Sequence, residues 1–167
     1  MKEIFTRRSI RKYEKKPVTD DQVKQLLKAA MYAPSAGNEQ PWHFVVVRDR
    51  ERLDEIARRH PFAGMLKEAP LAIIPCCDTG IVKYKGMFWI QGIAAAIQNM
   101  LLQAKHLGLG SCWCGVYPRK SLVEKVEKIL NLPPDIVPAA IVAIGYPGEK
   151  VEAPNRFIPE RIHLEQW

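Results

Sequence analysis

Only four cysteines occur in the 167 residues, Cys76, Cys77, Cys112 and Cys114, too few for the disulfide framework of a secreted scaffold. One pair is adjacent and the other is separated by one residue, whereas zinc loops space their ligands by about two to four residues. Both pairs lie in apolar runs, where a free cysteine packs as a small hydrophobe. The histidines, His43, His60, His106 and His163, are scattered and form no H-E-x-x-H pattern. G-x-S-x-G and G-x-x-x-x-G-K-[ST] are also missing, which removes the nucleophile elbow and the commonest triphosphate cradle. Gly108-Leu-Gly110-Ser-Cys-Trp113 opens like a dinucleotide fingerprint, but Trp113 stands where the third glycine belongs. It also joins a helical stretch to a strand, the reverse of the Rossmann order. No apolar h-region follows the basic start, so a soluble cytoplasmic chain is expected. The chemistry is not carried by the usual catalytic side chains.

What is present is localised charge. The net charge is +7, and residues 1–16 alone carry +5 of it, with Lys2, Arg7, Arg8, Arg11, Lys12, Lys15 and Lys16 against Glu3 and Glu14. A nucleic-acid binder spreads basic charge over a face or groove, so no nucleic-acid partner is expected. Two readings of the cluster stand side by side: a compact anion site, or a solvated basic helix end. Glu3, Glu14 and Pro17 interrupt the amphipathic pattern of an organellar targeting peptide.

The length and mixed composition predict a single domain over residues 1–167 with alternating helices and strands. A short helix is expected over 2–8 and an irregular stretch over 9–18. Thr19 or Asp20 then caps a helix ending at Ala33, with Val23, Leu26, Leu27, Ala30 and Met31 on one face. Strands are expected over 42–47, 71–77, 111–117 and 137–145, with Pro75 marking an edge or a bulge in the second. Surface helices are expected over 48–59 and 121–130, and a short one over 61–68. Residues 86–104 carry no charged side chain for 19 residues, long enough to cross a bilayer. Gln91, Gln98, Asn99 and Gln103 are costly in lipid, so a helix buried in the protein is expected, and no membrane partner. Such a helix has more apolar surface than one small core covers, which points to dimerisation. The tail from Tyr146 to Trp167 carries Phe157, Ile158, Ile162, Leu164 and Trp167, and is expected to lie against the body or a partner subunit.

Within the basic start, Arg7-Arg8-Ser9-Ile10-Arg11 has the chemistry of a phosphate site, because planar guanidinium donors match phosphate oxygens in pairs. Its companions are Ala33-Pro-Ser-Ala-Gly-Asn-Glu-Gln-Pro-Trp42, the helix bearing Gln91, Ala95, Gln98 and Asn99, Gly108-x-Gly110-Ser-Cys-Trp113-Cys-Gly115, and Ala143-Ile-Gly145-Tyr-Pro147. In order and spacing these resemble the FMN-dependent nitroreductase family over nearly the whole chain, in a short member without the long insertion of larger relatives.

The resemblance implies an α+β fold: a small, mostly antiparallel sheet flanked by helices, in an intertwined homodimer with two FMN sites at the interface. It implies that Arg7, Arg8, Ser9 and Arg11 hold the phosphate and ribityl chain. Pro34, Ser35, Ala36 and Asn38 match a loop reaching the flavin of the other subunit, with Ala36 where relatives often have serine. Cys114, Gly115 and Val116 match backbone amides along the isoalloxazine edge, and Arg156 matches a basic position returning to the phosphate. The flavin carries the chemistry, passing hydride from NAD(P)H to a nitroaromatic, quinone or similar electrophile, with no catalytic side chain and no metal. The same resemblance is compatible with flavin reduction, ene reduction, dehalogenation, flavin fragmentation or a non-catalytic flavin-binding regulator.

Overall fold

Strand order follows from which apolar runs are buried on both faces. In the computed structural model, which describes residues 2–167, one antiparallel sheet runs in the order β1 (Trp42–Val47), β2 (Leu71–Asp78), β5 (Ala140–Gly145) and β3 (Gly110–Gly115). A short β4 (Ile136–Pro138) pairs with β2 beside β5. β2 and β5 are interior, and every residue of both is buried except Asp78 at the end of β2. Successive residues of β2 feed opposite cores. Ala72, Ile74 and Cys76 face the helices α3 (Arg50–Arg59) and α5 (Lys120–Leu130), with Leu53, Ile56 and Leu122. Leu71, Ile73 and Cys77 face α2 (Asp20–Met31) and α4 (Trp89–His106), with Leu26, Ile93 and Met100. Each fully buried Leu or Ile contributes about 1.5–3 kcal/mol.

Local signals fix the ends of these elements. Thr19 and Gln22 form a reciprocal capping box at the start of α2, and Asp49 caps α3 through the Arg52 amide at 3.1 Å. The uncharged stretch becomes α4, whose inner face is buried in the second core, and among the described residues no helix is long and apolar enough to cross a membrane.

One expectation needs correction and a second is narrowed. The run 137–145 is not one strand: the pairing register with β2 slips by one residue between β4 and β5. Pro75 lies opposite that slip, where Ala139 N–H donates to its carbonyl at 2.9 Å. Proline has no N–H to give a ladder, so an interior strand tolerates it where the partner bulges. Of the two places expected for the tail, the body and a partner subunit, the body is not where it lies. Phe157, Leu164 and Trp167 are 69%, 83% and 101% exposed.

α1 (Lys2–Thr6) leads into the basic segment, which is laid along the outer edge of β3. Ile10 N–H donates to the Ser111 carbonyl at 3.0 Å, and Ser9 bridges Ser111 in parallel. Tyr13 bridges Pro147, and its buried hydroxyl donates to the Ile10 carbonyl at 2.7 Å. Close approach explains the glycines beneath: a Cβ on Gly110 would stand 2.9 Å from Ile10, and one on Gly145 2.8 Å from the Tyr13 ring.

Candidate functional site

With the basic segment fixed along β3, two clefts open beside it. The first, about 220 Å³, is lined by Arg7, Arg8, Lys105, the 108–111 turn and Glu149. The second, about 440 Å³, is lined by Arg11, Phe62, Met65, Cys112, Trp113 and Cys114. Consecutive residues of β3 line both, so an elongated ligand lying along this edge would have Arg7 at one end and Arg11 at the other.

Arg7 is the electrostatic centre of the first cleft. Its Nε is buried and has no hydrogen-bond partner among the described residues. Burial, then the nearby charges of Arg156 and Arg8, push its pKa down. A guanidinium so placed is satisfied by a multivalent anion, and phosphate has the matching geometry. Glu149 does not neutralise the cluster through a side-chain ion pair. Its Oε1 accepts from the Arg11 and Lys12 amides at 2.6 and 3.1 Å, which fixes the turn of the basic segment.

Arg8 is placed differently from Arg7. Its guanidinium donates to the carbonyls of Glu152 at 3.0 Å and Phe5 at 2.8 Å, and also to that of Arg7. It ties the end of α1 to the beginning of the tail. Ser9 bridges Ser111 at the β3 edge and lines neither cleft, and Arg156 is exposed on the tail but near enough to act on Arg7.

At the second cleft the three backbone positions are not equivalent. Cys114 is paired with Ile141 across the ladder, and Val116 N–H donates to Ala139 at 3.0 Å. Antiparallel strands alternate the direction of their amides, so Gly115 N–H points away from β5, out of the edge of the sheet. Gly115 is exposed, with open space where a Cβ would be. On the inner face, Cys112 and Cys114 interact as a pair. The neighbouring Cys114 sulfur, with the charges of Arg11 and Arg7, brings the Cys112 thiol down to about 7 against its burial. The same contact and burial push Cys114 up. All four cysteines are free and buried.

The Pro34–Asn38 loop lines neither cleft. It is braced against the start of α4, where a Cβ on Gly92 would stand 3.3 Å from Ser35. Ser35 Oγ accepts from the Gln40 amide at 3.0 Å, and Asn38 Oδ1 from Gln40 Nε2 at 2.8 Å. Gly37, at φ 54°, passes under Tyr84, where any side chain would collide with the phenol. Ala36 begins the 3₁₀ turn, and Pro34 and Asn38 are exposed. The loop is a braced, outward-facing element. Glu149 and Phe62 were not singled out from the sequence, because both act through contacts that no local pattern signals.

The sequence matches the family model described as "Nitroreductase family" over residues 4–70 and 57–146. A protein of Archaeoglobus fulgidus named "Putative NADH dehydrogenase/NAD(P)H nitroreductase" is 47% identical, over 100% of this chain and 98% of its own. A solved structure titled "Putative NADH Oxidase", from Clostridium acetobutylicum, is 42% identical and superposes with a TM-score of 0.94, over 99% of each chain. Another, an FMN-dependent nitroreductase from Clostridium difficile, is 32% identical with a TM-score of 0.91, over 99% of this chain and 98% of that one.

Proposed function

From the membership of this chain in the nitroreductase family we propose that it is an FMN-dependent oxidoreductase, taking hydride from NAD(P)H and delivering it to a small electrophile such as a nitroaromatic or a quinone. The observation that carries this reading is the buried Arg7 Nε without a partner, beside two further arginines. Bound FMN would supply the two-electron chemistry. The chain's own residues bind and orient it. Arg7, Ser9 and Arg156 take the phosphate end, while Arg8 acts by fixing α1 and the tail. Arg11, which lines the second cleft, would place positive charge beside the ring, and the outward Gly115 N–H would offer it a donor.

The working unit in this reading is a homodimer. The braced Pro34–Asn38 loop, too remote to line its own clefts, presents Pro34, Ser35, Ala36 and Asn38 to the flavin of the other subunit. The exposed apolar tail and the outer face of α4 supply the contact surface.

Purified protein should be yellow, and heat should release a flavin with the chromatographic retention of FMN. NADH or NADPH should bleach the bound flavin without oxygen, and a nitroaromatic or quinone should restore its colour. With initial rates measured at several fixed acceptor concentrations, the double-reciprocal plots should be parallel. Protein that stays colourless after incubation with FMN overturns the cofactor assignment. FMN that binds but resists both nicotinamides makes the chain a flavin-binding regulator instead.

A further inference from the structure

Phe62 is an apolar side chain held out into solvent. It is 62% exposed, yet its backbone is pinned at both ends. The Phe62 N–H donates to His60 Nδ1 at 3.2 Å, and its carbonyl accepts from Cys114 Sγ at 3.1 Å. His60 is itself buried, with Nε2 2.9 Å from the Gly115 carbonyl, so the 60–62 turn is fastened to the end of β3. Burying such a ring would stabilise the fold. The turn instead presents it as a wall of the second cleft, beside Met65 and Trp113.

Against the same ring stands a cation. The Arg119 guanidinium lies over Phe62, 5.7 Å from the ring centre, within reach of a cation–π contact. Arg119 is exposed, does not itself line the cleft, and makes no ion pair among the described residues. Phe62 is the link between the two, since its ring belongs both to the cleft wall and to the Arg119 contact.

This charge suits one reactant and not the others. A nitroaromatic or a quinone brings no anion for Arg119. The FMN phosphate, in the reading above, belongs to Arg7 in the first cleft. NADH and NADPH both carry a diphosphate, joined to the nicotinamide through one ribose. A donor whose nicotinamide lies over a flavin in the second cleft therefore trails that diphosphate towards the rim. Planar guanidinium donors match phosphate oxygens in pairs.

We propose that Arg119, steadied by Phe62, binds the diphosphate of the nicotinamide donor. This rests on the FMN reading above and adds the residue that recognises the donor. Arg119 meets the donor at its phosphates, away from the hydride, so it sets affinity and leaves the rate of hydride transfer alone. Phe62 is a positioning residue acting through Arg119: the ring restricts the guanidinium before the donor arrives, which lowers the cost of ordering it.

Anaerobic stopped-flow reduction of the bound flavin separates donor affinity from hydride transfer. In Arg119→Ala the half-saturating concentrations of NADH and NADPH should rise about tenfold, the loss of one charge-assisted contact, at an unchanged limiting rate. 1-Benzyl-1,4-dihydronicotinamide donates the same hydride without a phosphate, and should reduce wild type and variant alike. ADP should compete with NADH in the wild type, and about tenfold more weakly in Arg119→Ala. Arg119→Lys should recover part of the affinity, because it keeps the charge and loses the paired donors. Phe62→Leu keeps the cleft wall apolar and should weaken NADH without altering the response to the benzyl donor. Lys120→Ala, also exposed and next in the chain, should do neither.

Unchanged affinity for both nicotinamides in Arg119→Ala overturns the proposal, and so does ADP that fails to compete in the wild type. An equal loss with the phosphate-free donor overturns it too, by placing the damage at the flavin. Equal losses from Arg119→Ala and Lys120→Ala would make the effect a diffuse field instead of a site. Wild-type affinity for NADH in Phe62→Leu removes the part assigned to the ring. Wild-type protein that binds no FMN, or whose FMN neither nicotinamide reduces, refutes the functional reading instead, a result distinguishable from all of these.

Discussion

Ile10 lies across Gly110 so closely that a methyl group on the glycine would stand 2.9 Å from the Ile10 Cβ. The basic segment is therefore seated by shape as well as by hydrogen bonds, and the glycine is part of the anion site without touching an anion. Gly110→Ala should destabilise the fold by about 1–3 kcal/mol, the usual cost of overpacking. It should also weaken FMN binding, because Ser9 and Arg11 move with Ile10. Thermal unfolding and flavin fluorescence titration measure the two effects. An unchanged melting temperature would mean that the segment is not pressed onto β3.

Arginine and lysine of the same segment should separate cleanly. Arg7→Ala removes a half-buried guanidinium and should raise the FMN dissociation constant roughly tenfold to a hundredfold, the equivalent of a charge-assisted contact of about 1.5–3 kcal/mol. Arg11→Ala should follow it in direction. Lys15→Ala removes only an exposed, screened charge and should do little once salt is added. Lys16 is a poorer control, since its ammonium lies 3.8 Å from the centre of the Tyr146 ring. Equal losses at positions 7, 11 and 15 would indicate a diffuse basic surface instead of a built site.

Local patterns made most of this fold legible. The β-branched run marked β1, and Thr19 or Asp20 marked the start of α2, because both signals act over a few residues. Pro75 was read as an edge or a bulge, and the bulge lies in the neighbouring strands, where no local signal marks it. The candidate site divides in the same way. Arg7 stood out by type and neighbours, but that Arg8 would be diverted to three carbonyls depends on how α1 meets the tail. Glu149 reaches Arg11, and His60 reaches Gly115, across chain separations that carry no periodicity. Long-range hydrogen bonds are where sequence reasoning stopped.

The cysteines should differ sharply in reactivity although all are buried. Cys112 is brought down to about 7 by the neighbouring Cys114 sulfur and by Arg11 and Arg7, whereas burial pushes Cys76 and Cys77 up to about 12. The thiolate is the nucleophile, so alkylation of Cys112 in the apoprotein should be slow below pH 7 and rise through a midpoint near it. Cys76 and Cys77 should stay unlabelled. Arg11→Ala should move the midpoint upward, because a neighbouring positive charge is lost. FMN should protect Cys112, which lines the second cleft. Peptide mapping after timed iodoacetamide treatment reads all of this, and a midpoint near 9 would contradict it.

The tail should decide whether the site is complete in one subunit. Phe157, Leu164 and Trp167 project from the isolated chain at 69%, 83% and 101% exposure, far from the scattered single residues usual on a monomer's surface. Each would contribute about 1.5–3 kcal/mol if a second subunit covered it. Removing residues 157–167 leaves Arg156 and the whole basic segment in place, so the phosphate ligands survive the deletion. The truncated chain should nevertheless dissociate, with the dimer constant weakened by at least about a hundredfold. It should lose FMN in parallel, because each flavin would then lack the other subunit's Pro34–Asn38 loop. Sedimentation velocity with absorbance at the protein and flavin wavelengths follows both events in one experiment. Flavin retained on a truncated monomer would show that one chain builds the entire site. A full-length chain that sediments as an FMN-saturated monomer at micromolar concentration would refute the dimer itself.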